Sequence, residues 1–203
     1  MNELMAVAAI TVLAVISPGA DFAMITRNSY LYGRRAGVWT ATGIACGVWL
    51  HVGYTLLGVS ILLTQAPWLF HGIKVLGAAY LMYIGWQTAR QIPVAVAAGG
   101  EHGHLGAWQA WRNGFLTNAL NPKTTLFVLS TFTQIVSAAT PLTVQAAYGA
   151  LMSAAHWLWF AAVAVLLSQP ALRNRLLAHQ QAVNRVIGVL LMGLGLLLLA
   201  AAA

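Results

Sequence analysis

Charged residues are scarce in this 203-residue chain, and acidic ones most of all, since Asp and Glu together number three. Charged side chains make up 6% of the chain and hydrophobic ones 60%, whereas an ordinary soluble domain is about 25% charged. This shortage of charge argues against a soluble protein. It indicates instead that a lipid bilayer surrounds much of the chain.

A basic patch of the kind that binds nucleic acid is also missing, although the net charge is +7. The basic residues fall in alternate connections between long apolar runs, and such connections face the cytoplasm in membrane proteins. The charge pattern therefore predicts no nucleic-acid partner, and it predicts that both termini lie outside the cytoplasm. The residues concerned are Arg27, Arg34 and Arg35 in the first connection, Arg90 and Arg112 in the third, and Arg173, Arg175 and Arg185 in the fifth.

Several chemical motifs are absent as well. The single cysteine, Cys46, excludes an internal disulfide and a dithiol redox site. No phosphate-binding P-loop occurs, so ATP hydrolysis by this chain is unsupported. The segment EHGH at 101–104 has metal-binding residue types without the fixed spacing of a metal site, which favours a solvated linker. We therefore predict no cofactor and no resident metal.

Long apolar runs are what the sequence does contain. There are six, each about 18 residues or longer, which is enough for a helix to cross about 30 Å of hydrocarbon. No basic segment precedes the first run, so we interpret it as a membrane span and not as a cleaved signal peptide. The prediction is an all-α membrane protein with six transmembrane helices, approximately at 4–26, 38–63, 68–89, 114–137, 144–167 and 183–202.

The six runs divide into two halves. We predict a first three-helix repeat at 1–90, a cytoplasmic linker at 91–111 and a second three-helix repeat at 112–203. Because each half crosses the membrane an odd number of times, a repeated half must be inverted relative to the first. Run one contains ISPGADF and run four LNPKTTLF, each with a helix-capping residue followed by proline. The fold prediction is thus two inverted three-helix repeats.

The two prolines predict breaks in transmembrane helices one and four, at Pro18 and Pro122. Proline lacks an amide hydrogen and clashes with the preceding turn, while Ser17 and Asn121 are favourable N-caps that restart a helix with proline at its first position. Helical rise puts both breaks about 13 Å from the nearest cytoplasmic arginine. Their free amides predict a site for an anionic group such as a carboxylate.

Asp21 is the one acidic residue well inside an apolar run. An ionised carboxylate in hydrocarbon costs several kcal/mol unless it is paired, hydrated or protonated. One interpretation is structural: Asp21 adds negative charge to a first helical turn, or pairs with Lys123 or Arg27. The other is functional: Asp21 faces a cavity and accepts a substrate ammonium or exchanges a proton. The two are compatible.

Other polar residues inside the runs have two interpretations each. The Asn and Thr side chains of TNALNPKTT in run four either satisfy backbone groups freed by Pro122 or line a pathway. His51 and His156 are either hydrogen-bonded packing residues or proton relays. The predicted substrate-binding residues are Ser17, Pro18, Gly19, Asp21, Asn118, Asn121, Pro122 and Lys123, and the proton-coupling candidates are Asp21, His51 and His156.

These residues resemble the LysE/RhtB family of amino-acid exporters. The resemblance lies in SPGADFAMITRNSYLYGRRAG, LGAAYLMYIGWQTAR, GFLTNALNPKTTLFVLS and IGVLLMGLG, with one departure at Ala20, where members of the family often have proline. It implies an inner-membrane exporter of neutral amino acids such as threonine or homoserine, or of basic ones such as lysine, driven by proton exchange. The half-helix amides after Ser17 and Asn121 then hold the carboxylate of the substrate, Asp21 meets its ammonium or the proton, and Lys123 balances charge.

Two other functions stay open at this point. A metal or other cation exporter would need more ligands inside the membrane than Asp21, His51 and His156 supply, and an intramembrane lipid-modifying enzyme would need converging acid and base groups. We therefore expect a transporter and not an enzyme. Gly43 and Gly47, in the motif GIACG, predict close helix packing within the chain, with a homodimer contact as the alternative.

Overall fold

The computed structural model describes residues 3–65, 67–90, 104–137 and 139–202. Within these residues the protein consists of seven α-helices and contains no β-strand. Several helices begin at a proline, because the amide of the first helical residue makes no hydrogen bond within the helix and its absence does not weaken the helix. The helices are α1 (Glu3–Ile16), α2 (Ala20–Gln65), α3 (Pro67–Arg90), α4 (Ala107–Ala119), α5 (Pro122–Ile135), α6 (Leu142–Leu167) and α7 (Pro170–Ala202).

Helix α2 folds back on itself at Gly33. Gly33 has φ 79° and ψ 179°, a backbone conformation that glycine adopts readily because it has no Cβ. Asn28 Nδ2 donates to Thr40 Oγ1 at 2.9 Å, although residues twelve apart in a straight helix lie about 18 Å apart. The chain therefore reverses direction, and residues 20–32 and 34–65 pack as two antiparallel segments.

The apolar lengths of the helices agree with a membrane protein. By length and composition, two helical stretches among the described residues, Ala20–Gly58 and Leu142–Leu167, could cross a membrane. The reversal at Gly33 divides the first of these stretches. Two shorter apolar stretches, Glu3–Ile16 and Asn184–Leu197, do not reach that length. The predicted arrangement of six spans therefore requires some shorter helices to combine into one span.

Glycines bring two pairs of helices into backbone contact. A Cβ on Gly43 of α2 would collide with the carbonyl oxygen of Trp111 on α4, and one on Gly47 would lie 2.7 Å from Asn118 Oδ1. Gly85 and Gly188 meet in the same way where α3 packs on α7. The predicted close packing of the GIACG motif within the chain is confirmed, and it positions Asn118 against α2.

Three apolar clusters hold the helices together, one of which joins α3 to α7 through Ile84, Ile187 and Leu191. The other two border the candidate site. One joins α1, α2, α5 and α6 through residues such as Val7, Val48 and Phe132. The other joins the two segments of α2 to α6 through residues such as Ile25 and Phe160. The candidate site lies where these two cores meet.

Candidate functional site

The first interruption of the helices covers residues 17–19. The amide of Ser17 makes the last hydrogen bond of α1, to Leu13 O at 3.1 Å, and Gly19 O accepts the first one of α2, from Ala23 N at 2.9 Å. Gly19 is therefore the N-cap of α2. The expectation that Ser17 caps this helix was wrong, because its hydroxyl is engaged with Thr88 Oγ1 of α3 at 2.7 Å.

The second interruption covers residues 120 and 121, between α4 and α5. Asn121 is the N-cap of α5, and its side chain accepts a hydrogen bond from the amide of Lys123 at 3.0 Å. Pro122 occupies the first helical position. The capping role predicted for Asn121 is confirmed.

Asp21 lies in the first turn of α2 and reaches across to the second interruption. Its side chain is 6% exposed. Oδ2 accepts hydrogen bonds from Asn118 Nδ2 at 2.9 Å, Asn121 Nδ2 at 3.2 Å and Thr124 Oγ1 at 3.4 Å. Hydrogen bonds to a charged group contribute about 1.5–3 kcal/mol each. Three donors from the second half of the chain therefore hold a carboxylate from the first half.

The other oxygen of this carboxylate has no such partner. Within the described residues, Asp21 Oδ1 and Asn118 Oδ1 are buried without a hydrogen bond. A buried polar atom left unpaired costs about 1–3 kcal/mol, so each such atom calls for an explanation. Asp21 Oδ1 is therefore a buried acceptor that none of the described residues supplies with a donor.

Lys123 crosses between the interruptions in the opposite direction. Its Nζ donates to the carbonyl oxygen of Ser17 at 2.6 Å, and a Cβ on Gly19 would lie 3.3 Å from its Cδ. Arg27 is occupied elsewhere, since it donates to Asn28 Oδ1 at 3.3 Å. Lys123 thus makes its hydrogen bond to the backbone of the first interruption, while its charge still interacts with that of Asp21. The two interruptions are joined by these reciprocal contacts.

His51 supports the second interruption from α2. Asn118 is followed four residues later by Pro122, which has no amide to donate to the Asn118 carbonyl. That carbonyl accepts instead from Asn121 N at 2.8 Å and from His51 Nε2 at 2.9 Å. Because a carbonyl only accepts, Nε2 carries a proton, and Nδ1 lies within hydrogen-bonding distance of the hydroxyl groups of Tyr54 and Thr125. His51 thus replaces a missing backbone donor.

His156 lies on α6 and is 4% exposed. Its Nδ1 is 2.7 Å from Met152 O, so this nitrogen carries a proton and Nε2 of the neutral ring is an acceptor. The rings of Phe127 and Phe160 flank it at 6.3 Å and 6.1 Å. Of the two candidate histidines, His156 lines a cavity that Asp21 also lines.

That central cavity has a volume of about 20 Å³, which is room for about one water molecule. Its polar lining brings together the predicted residues Ser17, Gly19, Asp21, Asn121 and Lys123, joined by Thr124 and His156. Thr124 was missed as a site residue. Asn118, Asn121 and Thr124 are spaced three residues apart, and this spacing is the sequence signal that indicated Thr124.

A larger space, the α3 groove, lies on the other side of the interruptions. It has a volume of about 640 Å³ and runs between α3 and the residues around Pro18 and Pro122. Gly19, Asn121 and Lys123 line both the groove and the central cavity. These three residues therefore form the wall between the two spaces. The sequence alone did not predict that α3 contributes to the site.

Residues 91–103 of the predicted linker, with Glu101 and His102, lie outside the described residues. Helix α4 begins at Ala107, so the last residues of that predicted linker are helical. Across the described ranges, no three His, Cys, Asp or Glu residues are grouped so that they could hold a metal ion.

Two helix interruptions that face each other around a buried carboxylate resemble the broken-helix sites of membrane transporters. Comparison with protein families agrees. Residues 12–202 match the family described as LysE type translocator, and the chain belongs to this family. It is accordingly a membrane protein of a transporter family.

Individual relatives extend this result. The chain is 29% identical to the threonine efflux protein of Escherichia coli over 193 residues, which cover 94% of each chain. It is 30% identical to the uncharacterized membrane protein YahN of the same organism, over 89% of this chain and 81% of the relative. The chain is 26% identical to the uncharacterized membrane protein YrhP of Bacillus subtilis, over 97% of this chain and 98% of the relative. No solved structure matches the chain.

Proposed function

We propose that this protein is a secondary transporter of the inner membrane that exports amino acids in exchange for protons. One observation carries the proposal: the buried carboxylate of Asp21 has one oxygen held by three donors and the other unpaired beside a cavity. Such a group can take up an ammonium ion or a proton, but not both at once. The relatives named threonine efflux protein support an amino-acid substrate and make threonine the first one to test.

In the membrane, α1 with the start of α2 forms one broken span, and α4 with α5 forms another. Four further spans complete the set of six, which forms two inverted repeats. They are the second segment of α2, helix α3, helix α6 and the end of α7. The reciprocal contacts of Asp21 and Lys123 support this arrangement, because each reaches from one break to the other. The arginines beside the Gly33 turn and at the end of α3 support a cytoplasmic position for these regions, with both termini outside.

The substrate carboxylate binds at the start of α2. The amides of residues 20–22 precede the first hydrogen bond of that helix and carry its partial positive charge, and the cationic group of Lys123 lies across Gly19. The start of α5 is less suitable than the sequence indicated. Pro122 has no amide, and that of Lys123 is bonded to Asn121 Oδ1, which leaves the amide of Thr124.

The substrate ammonium binds to Asp21 Oδ1. The zwitterionic backbone of an amino acid thus meets a cation and a carboxylate placed on facing breaks, so charges are paired within the membrane. When the ammonium leaves to the outside, a proton takes its place on Asp21 and is carried inward. His156, on the wall of the same cavity, is the second group that can exchange a proton there.

The variant Asp21→Asn tests this function. Efflux of amino acids is measured from cells loaded with dipeptides, for empty vector, wild type, Asp21→Asn and the charge-matched control Glu101→Gln, with and without an uncoupler. Asp21→Asn keeps the size of the side chain and removes its charge, so we expect efflux at the empty-vector level with normal amounts of protein in the membrane. We expect Glu101→Gln to export like the wild type.

A second measurement separates binding from coupling. Exchange of labelled for unlabelled amino acid in proteoliposomes needs substrate binding but no proton gradient. Loss of exchange in Asp21→Asn is expected if Asp21 binds the ammonium. Retained exchange would leave Asp21 the proton alone and would refute its binding of the ammonium. Wild-type rates of efflux in Asp21→Asn cells would overturn the proposal.

A further inference from the structure

The α3 groove is large enough to hold an amino acid, whereas the central cavity is not. A volume of about 640 Å³ falls within the range of about 300–1,000 Å³ found for small-molecule pockets. The central cavity, at about 20 Å³, has room for about one water. In this conformation the groove is therefore the space beside the two breaks that a solute can occupy.

One side of the groove is a row of three aromatic rings on α3. Tyr80, Tyr83 and Trp86 occupy successive turns of one helix face, and the ring centroids lie 6.1 Å and 6.3 Å apart. Tyr83 is 51% exposed and Trp86 46% exposed. Pro18 and Pro122 line the groove as well. The lining thus offers an apolar surface about 9 Å long by helical rise.

The charged groups of the groove are both cationic. The guanidinium of Arg90 lies 4.7 Å from the centroid of the Trp86 ring, and Lys123 lines the groove beside the breaks. Neither of the described carboxylates lines it: Asp21 lines the central cavity, and Glu3 contacts Ser137, Thr140 and Tyr148. The groove therefore attracts an anionic group and repels a second cation.

We propose that the α3 groove recognises the side chain of the exported amino acid and selects neutral, bulky apolar side chains over basic ones. The carboxylate is guided by Arg90 and Lys123, the side chain packs on Tyr83 and Trp86, and the backbone then passes the wall of Gly19, Asn121 and Lys123 to reach Asp21. This inference rests on the proposed function, and it gives α3 the role that determines specificity.

A panel of amino acids tests this selection. Efflux of leucine, phenylalanine, threonine and lysine is compared for wild type, Trp86→Ala and Trp68→Ala. Trp68 is the matched control, because it lies on the same helix, is 77% exposed and does not line the groove. We expect the wild type to export leucine or phenylalanine well and lysine poorly. We expect Trp86→Ala to lower the preference for leucine and phenylalanine over threonine by about tenfold, as loss of an apolar contact predicts, and Trp68→Ala to leave it unchanged.

A gain-of-function variant avoids any confusion with misfolding. Gln87 lines the groove, and Gln87→Glu places a carboxylate there that can pair with a basic side chain. We expect the ratio of lysine to leucine efflux to rise by about tenfold.

The outcomes separate this inference from the proposed function. If the wild type exports threonine but neither larger apolar amino acid, or exports lysine equally well, the protein is an exporter and the selection by the groove is refuted. Equal losses for all four amino acids in Trp86→Ala, or the same losses in Trp68→Ala, would assign the aromatic row to anchoring in the bilayer. No efflux of any amino acid by the wild type would refute both proposals.

Discussion

At the scale of single residues, Asn118 makes hydrogen bonds to three different parts of the candidate site. It is 0% exposed. Its side-chain amide donates to Asp21 and to Thr124, and its backbone carbonyl accepts from His51. One asparagine therefore connects the carboxylate of α2 to both the end of α4 and the start of α5.

Replacing Asn118 with Ala removes the shortest hydrogen bond to Asp21 but keeps the backbone carbonyl that His51 uses. Loss of a hydrogen bond to a charged group costs about 1.5–3 kcal/mol, so we expect efflux to fall by about tenfold or more. The measurement is initial efflux rate per amount of protein in the membrane. The control is Thr133→Val, which removes a hydroxyl bonded only within its own helix. Efflux by Asn118→Ala at the wild-type rate would show that this bond is dispensable.

At the scale of helices, the reversal at Gly33 decides how α2 is used. It turns one continuous stretch of helix into two antiparallel segments, the first of which presents Asp21 while the second presents His51. The sequence predicted a connection here, because Gly33 falls between the first two apolar runs. The helix persists on both sides, and a single residue with φ 79° makes the turn.

Gly33→Ala tests this turn against a matched control, Gly53→Ala. A Cβ at either position meets no atom within 4 Å, but Gly33 alone has positive φ. We expect Gly33→Ala to lower the free energy of unfolding by about 1–2 kcal/mol, because a left-handed conformation strains alanine. We expect Gly53→Ala to leave it unchanged or raise it by up to about 1 kcal/mol, since alanine favours helix over glycine. Thermal unfolding of the purified proteins in detergent measures both, and equal melting temperatures would contradict the strain.

At the scale of the whole molecule, the two halves of the chain are joined at both ends of α1. Near its C-terminus lie the contacts of Asp21 and Lys123. In its first turn, the Glu3 carboxylate accepts from Ser137 N at 3.2 Å, from Thr140 Oγ1 at 3.0 Å and from the Tyr148 hydroxyl at 3.2 Å. Two of the three acidic residues in the sequence thus hold the first half of the protein to the second.

Glu3→Gln tests the connection in the first turn of α1. The neutral side chain keeps its size but weakens three charge-assisted hydrogen bonds, so we expect the free energy of unfolding to fall by about 1–2 kcal/mol. Thermal unfolding in detergent measures it, with Glu101→Gln as the control for the loss of one charge. An unchanged melting temperature in Glu3→Gln would mean that these contacts add nothing to the docking of α1.

Features that depend only on residues close together in the sequence were predictable. The cap formed by Asn121 and Pro122 is local, and an isolated aspartate in an apolar run is informative by itself. Contacts between distant residues were not predictable in the same way. Ser17 bonds with Thr88 and not with its own helix, and Lys123 donates to the backbone of Ser17. The aromatic row of α3 was not predicted to line a groove, because nothing in its sequence says that it faces the two breaks.

The missing amide of Pro122 has a further consequence for how the helices depend on one another. The carbonyl groups within an uninterrupted helix accept hydrogen bonds from amides of the same helix, so they need no donor from a neighbouring helix. Here the Asn118 carbonyl accepts from the Asn121 amide and from His51 of α2, and the side chain of the same residue donates to Asp21. A displacement of α2 that withdraws His51 therefore alters the surroundings of the carboxylate, and proline makes the chemistry of one helix sensitive to the position of another.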